Sequence, residues 1–225
     1  MAVLEIVGTE IAYAVVIAGI CLAIYLKTRD ILMLTKHPGI FHFRNIFLFF
    51  AFAYVFRLIT VLVLVSFAPF GMMGFHQFQL IYLLMTGYFS TMAILSLTMT
   101  VLRKTDSGHN MNWMHLTAIL LPVAVIFLRL YELLLLAQTL LFAGSVFQLF
   151  LRKGGHSKLS LQNRVTYLLL FGFWIINLFA SLRGFSLDVR IILYAISVAI
   201  FFWIYFRVKK RLDHEEKKKQ ARNNK

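Results

Sequence analysis

The sequence predicts an all-α integral membrane protein, a bundle of seven transmembrane helices with its N-terminus outside the cell and its C-terminus in the cytoplasm. Three observations predict this fold. Of the 225 residues, 60% are apolar, against about 45 to 50% in soluble domains. Apolar runs long enough to cross a hydrocarbon core of about 30 Å recur along the chain. The positive charges collect between alternate runs, as they do in cytoplasmic loops.

Five spans follow directly from apolar runs near the required length of about 20 residues. These runs occupy residues 6–26, 45–67, 78–102, 165–182 and 187–207. The first run follows an acidic start, Met1 to Glu5, which lacks the positive region of a secretory signal. We therefore expect the first helix to be retained.

Two further spans come from a single apolar stretch at residues 113–151, whose charges, Arg129 and Glu132, lie near its middle. The stretch is too long for one span. It predicts a helical hairpin with helices at 113–129 and 131–151 and a tip at 129–132. Residues 1–207 then form a seven-helix transmembrane domain, and residues 208–225 a basic cytoplasmic tail.

The loop charges test this count and set the orientation. With seven spans, 19 of the 23 Lys and Arg residues lie on one side of the membrane, and three, Arg129, Arg183 and Arg190, lie on the other. Because cytoplasmic loops retain Lys and Arg, the basic side is the cytoplasm of a multi-pass cell membrane protein. The basic loops at 103–112 and 152–164 must share that side, which requires an even number of crossings between them and supports the hairpin.

The first cytoplasmic loop, residues 27–44, mixes apolar residues with Lys36, His37 and His42. One interpretation is a segment lying in the headgroup region with its apolar side down and a turn at Pro38-Gly39. The other is a loop packed under the bundle.

Small residues and hydroxyls provide the contacts between helices, because apolar faces gain nothing by leaving lipid. Pairs of small residues four apart predict three close approaches: Gly19 with Ala23, Gly87 with Thr91, and Ala195 with Ala199. The third helix also carries six hydroxyls, which makes it the expected central helix. We favour packing over a water path for these hydroxyls, since Ser and Thr also bond back to the preceding turn.

Ionisable groups within a span are functional candidates by default, because inserting them costs free energy. Arg57 falls near the midplane of the second helix, and Glu10 enters the membrane from outside on the first. We predict a Glu10–Arg57 ion pair. The alternative is that Arg57 satisfies itself on hydroxyls of the third helix or on backbone, and holds the helices in register.

A possible ligand site lies on the outer side. The candidate intramembrane polar residues are Glu10, Arg57, Ser90, Thr91 and Asn177, with the Gln138 amide at a similar depth. The outer rim gathers His76, Arg129, Glu132, Arg183, Asp188 and Arg190. Such groups suit a small polar or anionic ligand that enters from outside, and they equally suit salt bridges that close helix ends.

The basic tail predicts contact with anionic lipid headgroups at the cytoplasmic face, through Lys209, Lys210 and Arg211. Acidic residues precede Lys217 and Lys219 by four positions, the favourable order for helical pairs. We expect helix seven to continue into the tail. We do not expect a nucleic acid partner.

No enzymatic chemistry is indicated. Cys21 is the single cysteine and cannot form an intrachain disulfide. No His, Asp or Glu lies deep in a span, and no phosphate-binding, dinucleotide or zinc-protease motif occurs. The sequence therefore predicts no metal and no cofactor. It predicts a non-enzymatic, receptor-like or sensory, partner-binding module, with a small transporter or channel for a polar or anionic solute as the alternative.

The run from Tyr25 to Leu58 carries Lys27 and Arg29, then His37-Pro38-Gly39, then Phe43-Arg44 before an aromatic second helix. It resembles the opening of the seven-helix input regions of membrane histidine kinases. The resemblance implies a stand-alone sensor or a membrane partner to another protein, since only a short tail follows the helices here.

Overall fold

The computed structural model describes residues 2–35, 38–67, 75–102, 108–128, 131–151, 158–181 and 186–223. The described chain is all-α, as predicted. Its helices are α1 (Ala2–Thr35), α2 (Pro38–Phe67), α3 (Phe75–Leu102), α4 (Gly108–Leu128), α5 (Tyr131–Leu151), α6 (Lys158–Ser181) and α7 (Leu187–Asn223). Five of them, α1 to α4 and α7, are long and apolar enough to cross a membrane, whereas α5 and α6 carry shorter apolar segments.

The apolar stretch at 113–151 divides where the sequence predicts. Helix α4 ends at Leu128 and α5 begins at Tyr131, so two separate helices are confirmed. Glu132 lies in the first turn of α5, where the unpaired N–H groups of a helix start favour a carboxylate. Arg129 lies outside the described residues. Helix α4 starts at Gly108, five residues before the predicted bound.

The structure contradicts the predicted turn at Pro38-Gly39, and the described residues of the segment 27–44 are helical. Helix α1 continues to Thr35 and α2 already begins at Pro38, because proline is well suited to the first position of a helix. The two helices contact each other through this region. The guanidinium of Arg44 lies 4.3 Å from the ring centre of Tyr25 and donates to its hydroxyl at 2.6 Å. Because α2 begins at Pro38, seven residues before the predicted span, Arg57 lies past the middle of the helix, toward its C-terminal end.

Six helices form a closed ring in the order α1, α2, α3, α5, α6 and α7, and α4 packs outside this ring against α3 and α5. Side-chain contacts show how they run. Glu10 of α1 meets Arg57 of α2, and Thr98 of α3 meets Ser145 of α5. Helices α1, α3, α5 and α7 therefore begin at one end, which we term the upper end, and α2, α4 and α6 begin at the lower end.

Aromatic side chains fill the centre of the ring. Phe47, Phe173 and Phe201 are fully buried. The rings of Phe173 and Phe201 meet edge to face at 4.4 Å, and Phe50 packs edge-on against Phe173 at 5.9 Å. We term Phe47, Phe50, Phe173 and Phe201 the aromatic floor. These rings pack against one another below the polar residues of the upper half.

The hydroxyls of α3 serve packing against α5. The buried Gln138 amide donates to the hydroxyls of Ser90 at 2.7 Å and Thr91 at 2.9 Å. Lower down, the Thr98 and Ser145 hydroxyls lie 2.6 Å apart. Helix α3 contacts α2, α4 and α5, but it lies in the ring rather than at its centre. Ser90 and Thr91 thus belong to a helix interface and not to the cluster around Arg57.

Only one of the three predicted small-residue pairs lies at a close helix contact. A Cβ added to Gly87 would lie 3.0 Å from the Cβ of Pro122 in α4, so glycine permits that approach. Gly19 instead faces outward, with nothing within 4 Å of such a Cβ, and Ala195 and Ala199 are exposed. Those two pairs are wrong, because spacing alone does not tell which face of a helix meets its neighbour.

Candidate functional site

An ion pair joins α1, α2 and α7 in the upper half of the bundle. The Nη2 atom of Arg57 lies 2.6 Å from Oε2 of Glu10, so the predicted pair is present. The Tyr194 hydroxyl donates to the other carboxylate oxygen and accepts from Arg57 at 3.3 Å. We term Glu10, Arg57 and Tyr194 the clasp. A short charge-assisted bond on each carboxylate oxygen holds the three helices together.

Helical periodicity aims both charges at the interior of the ring. On α1, Glu10 shares a face with the buried Tyr13, Ala14 and Ile17, whereas the intervening Ala12, Val15 and Val16 are exposed. On α2, Arg57 follows the buried Tyr54 by three positions. The side chains of Arg57 and Glu10 nevertheless keep 21% and 17% of their surface exposed. The pair is therefore not fully sealed from the surface of the bundle.

A layer of neutral polar groups lies directly below the clasp. Tyr13 and Tyr54 both donate to Oδ1 of Asn177, at 2.7 and 2.8 Å, which occupies both lone pairs of that oxygen. The Asn177 amide donates to the Phe173 carbonyl at 2.9 Å and lies 3.5 Å from the Ser197 hydroxyl. We term Tyr13, Tyr54, Asn177 and Ser197 the tyrosine layer. It links α1, α2, α6 and α7.

Stacking connects the two layers. The rings of Tyr13 and Tyr194 are parallel, with centres 4.1 Å apart. The Arg57 guanidinium lies 5.8 Å from the Tyr13 ring and 5.9 Å from the Tyr54 ring, within the range of a cation–π attraction. The positive charge is thus supported by one carboxylate and two aromatic faces, and movement of Arg57 would disturb both layers.

Arg57 has hydrogen-bonding capacity left over. Within the described part of the chain, its bonds to Glu10 and Tyr194 both use Nη2, and neither Nε nor Nη1 is among the buried atoms that lack a partner. A guanidinium has five N–H donors arranged to match a carboxylate or phosphate. The unused donors therefore keep some accessible surface at the clasp.

The rim residues do not join this cluster. Glu132 and Asp188 are exposed at the starts of α5 and α7, and across the described ranges neither takes part in an ion pair. The backbone N–H of Arg190 donates to the Ser186 carbonyl. Arg129 and Arg183 lie outside the described residues, as does the side chain of His76. In the described part of the chain, no group of three or more His, Cys, Asp or Glu side chains is placed to hold a metal.

None of the three tyrosines around Arg57 was a candidate from the sequence. Glu10, Arg57 and Asn177 were candidates because they are polar within a span, but Tyr13, Tyr54 and Tyr194 resemble the many other aromatic residues of this chain. One signal was available: Tyr13 lies one helical turn from Glu10, and Tyr54 one turn from Arg57, on the same helix faces. No comparable sequence signal marks Tyr194.

A protein of Archaeoglobus fulgidus, described as an uncharacterized protein, is 28% identical to this chain over 222 residues, which covers 93% of this chain and 95% of the relative. No protein-family model matches the chain. No solved structure matches it. The similarity extends along nearly the whole bundle.

Proposed function

We propose that this chain is a non-enzymatic, receptor-like membrane sensor that binds a small organic carboxylate at Arg57, from the outer face of the cell membrane. The observation that carries the proposal is the clasp itself. It is an interhelical ion pair that stays partly exposed, with unused guanidinium donors, above an interior filled by aromatic rings. A partly exposed charge pair next to an interior filled by buried aromatic rings suits recognition better than passage.

The lengths of the three shortest helices are compatible with seven crossings of the membrane. Helices α4 and α5 have 21 residues each and α6 has 24, so each is at least about 31 Å long and matches a hydrocarbon core of about 30 Å. Helices α5 and α6 also complete the ring with α3 and α7. The basic residues of the tail lie in the C-terminal part of α7, at the lower end, which the proposal places in the cytoplasm.

Ligand binding acts through competition at Arg57. Glu10 and an incoming carboxylate both seek the same guanidinium, and a bidentate ligand forms the stronger contact. A ligand shifts a conformational equilibrium only by its difference in affinity for the two states. Here that difference arises because the ligand stabilises the state in which Glu10 has released Arg57. Helices α1 and α7 then lose their strongest tie to α2.

Helix α7 carries the signal toward the cytoplasm. It runs without interruption from Leu187 to Asn223, a length of about 55 Å. Tyr194 near its start belongs to the clasp, and its basic end is available to a partner protein. This arrangement agrees with the sensor role implied by the resemblance to kinase input regions.

The single cysteine offers a direct test. Cys21 is fully buried on the α1 face that carries Tyr13, about 12 Å further along the helix. Purified protein in nanodiscs is treated with N-ethylmaleimide in the presence of acetate, benzoate or succinate, and the rate of Cys21 alkylation is measured. Acetamide and benzamide, which lack the charge, serve as control ligands.

We expect at least one carboxylate, and neither amide, to change the alkylation rate in the wild-type protein. Arg57→Gln should abolish that response, whereas Arg190→Gln, which removes a rim cation outside the clasp, should retain it. An equal response to amides, or a full response in Arg57→Gln, would refute the proposal. Uptake of the same carboxylates into proteoliposomes, lost in Arg57→Gln, would favour the transporter alternative, in which the aromatic floor opens.

A further inference from the structure

The lower half of α7 carries a shallow, open groove along one face of this single helix, lined by Ala199, Phe202, Trp203, Phe206, Arg207 and Lys210. The groove is apolar over most of its length and cationic at one end. Trp203 is 63% exposed in the described structure, and Phe206 is 62% exposed. Ala199, Trp203, Phe206 and Lys210 follow one another at intervals of four, three and four residues, which places them along one stripe of the helix.

The length and position of the groove match one leaflet of a bilayer. The apolar span of α7 runs from Leu187 to Arg211, so Ala199 is its middle residue and Lys210 lies at its end. The distance between Ala199 and Lys210 along the helix is about 16 Å, about half of a 30 Å hydrocarbon core. A molecule that fills the groove would thus have its charged end at the membrane surface and its apolar end at the midplane.

The cationic end has an unfilled hydrogen-bonding requirement. The Nη1 atom of Arg207 is buried and has no hydrogen-bond partner within the described residues. A buried donor without a partner is costly, so an oxygen acceptor at this point would be stabilising. Lys210 lines the groove beside it and is exposed. Guanidinium and ammonium groups together suit a phosphate oxygen.

We infer that this groove binds one anionic phospholipid of the leaflet at the lower end, with its phosphate between Arg207 and Lys210 and an acyl or isoprenoid chain along Trp203 toward Ala199. The sequence predicts headgroup contacts at Lys209, Lys210 and Arg211. Of these three residues only Lys210 lines the groove, and it does so together with Arg207. Lys209 is exposed but does not line the groove. The inference is independent of the function proposed for the clasp.

Quenching of tryptophan fluorescence tests the site. A Trp113→Phe background leaves Trp203 and the nearly buried Trp174, so quenching by brominated lipid reports on the groove. The protein is reconstituted in phosphatidylcholine and titrated with brominated phosphatidylglycerol, or with brominated phosphatidylcholine for comparison. We expect phosphatidylglycerol to quench at the lower mole fraction.

Substitution of the groove cations should weaken the effect. Each Lys or Arg near an anionic lipid contributes enough for about a fivefold change in binding, so Lys210→Gln and Arg207→Gln should each raise the half-quenching fraction about fivefold. Lys209→Gln, the matched control one residue away, should leave it unchanged. If Arg207→Gln does not fold, the comparison of Lys210→Gln with Lys209→Gln still tests the inference, because Lys210 is exposed.

Three results would overturn the inference. Equal quenching by the two lipids would mean that the groove does not recognise charge. An equal loss in Lys209→Gln would mean that the whole basic tail, rather than this groove, attracts the lipid. Relief of quenching by excess inorganic phosphate would identify a site for free phosphate instead of a lipid.

Discussion

Neutralising one partner of the clasp should destabilise the bundle more than neutralising both. Breaking a buried ion pair by removing one charge costs about 3 to 5 kcal/mol, and exposed pairs contribute at most about 1 kcal/mol. Glu10 and Arg57 are 17% and 21% exposed, between these limits, so we expect about 2 kcal/mol for Glu10→Gln or Arg57→Gln. For a domain of this size the loss corresponds to a fall of about 4 to 8 °C in the unfolding midpoint.

The decisive quantity is the coupling between the two substitutions, measured by thermal unfolding of the detergent-solubilised single and double variants. The double variant leaves no unpaired charge, so it should lose less stability than either single variant, and its loss should be smaller than the sum of the single losses by more than about 2 kcal/mol. The exchange Glu10→Arg with Arg57→Glu should restore part of the stability. Tyr194→Phe, which removes the donor to Glu10, should cost about 1.5 to 3 kcal/mol.

A matched pair of charges outside the clasp provides the control. Glu132 and Arg190 are not in contact with the clasp or with each other, so Glu132→Gln and Arg190→Gln should change stability by no more than about 0.5 kcal/mol each. Additive losses at Glu10 and Arg57, within about 0.5 kcal/mol, would show that the two charges act separately. Glu10 and Arg57 would then not form an ion pair that stabilises the bundle.

Two further predictions concern packing and topology. Gly87→Ala places a methyl group 3.0 Å from Pro122, so its unfolding midpoint should fall by an amount equivalent to about 1 to 3 kcal/mol. Gly19→Ala, with nothing within 4 Å, should leave stability unchanged or raise it by up to about 1 kcal/mol, and equal losses at the two sites would contradict the close approach of α3 and α4. In a cysteine-free background, a membrane-impermeant maleimide added to intact cells should label Asp188→Cys, whereas Asp213→Cys should react only after lysis. The opposite pattern would reverse the orientation, and labelling of both from outside would exclude an odd number of crossings.

The all-helical class and the hairpin were accessible from sequence because they depend on local quantities. An apolar run of about 20 residues has one common structural outcome, and the pair Arg129 and Glu132 marks the break between α4 and α5 without reference to any other helix. The helical structure of the described residues in the segment 27–44 was not predicted, for a related reason. Its mixture of apolar and charged residues is also compatible with helix ends that protrude from a bilayer, and composition does not distinguish the two.

The candidate site was only partly predictable. Glu10 and Arg57 stand out because a charge in a span requires a partner, and helix directions set by the loop charges bring them to a similar depth. Ser90 and Thr91 were candidates only as polar residues within a span, and the structure places them against Gln138 of α5, because a hydroxyl at that depth can face either α5 or the interior. The seven-span count and the orientation remain predictions that the labelling experiment addresses.

The sequence by itself determined the apolar helices, the division of the stretch 113–151 into two helices and the need for a partner at Arg57, because each follows from the cost of exposing charge or backbone to lipid. Only the tertiary structure decided which helices are neighbours, that Tyr194 completes the clasp, and that Phe173 meets Phe201 below it. Those facts depend on the rotation of each helix about its axis. That rotation is set by packing among many side chains together, and no single residue encodes it.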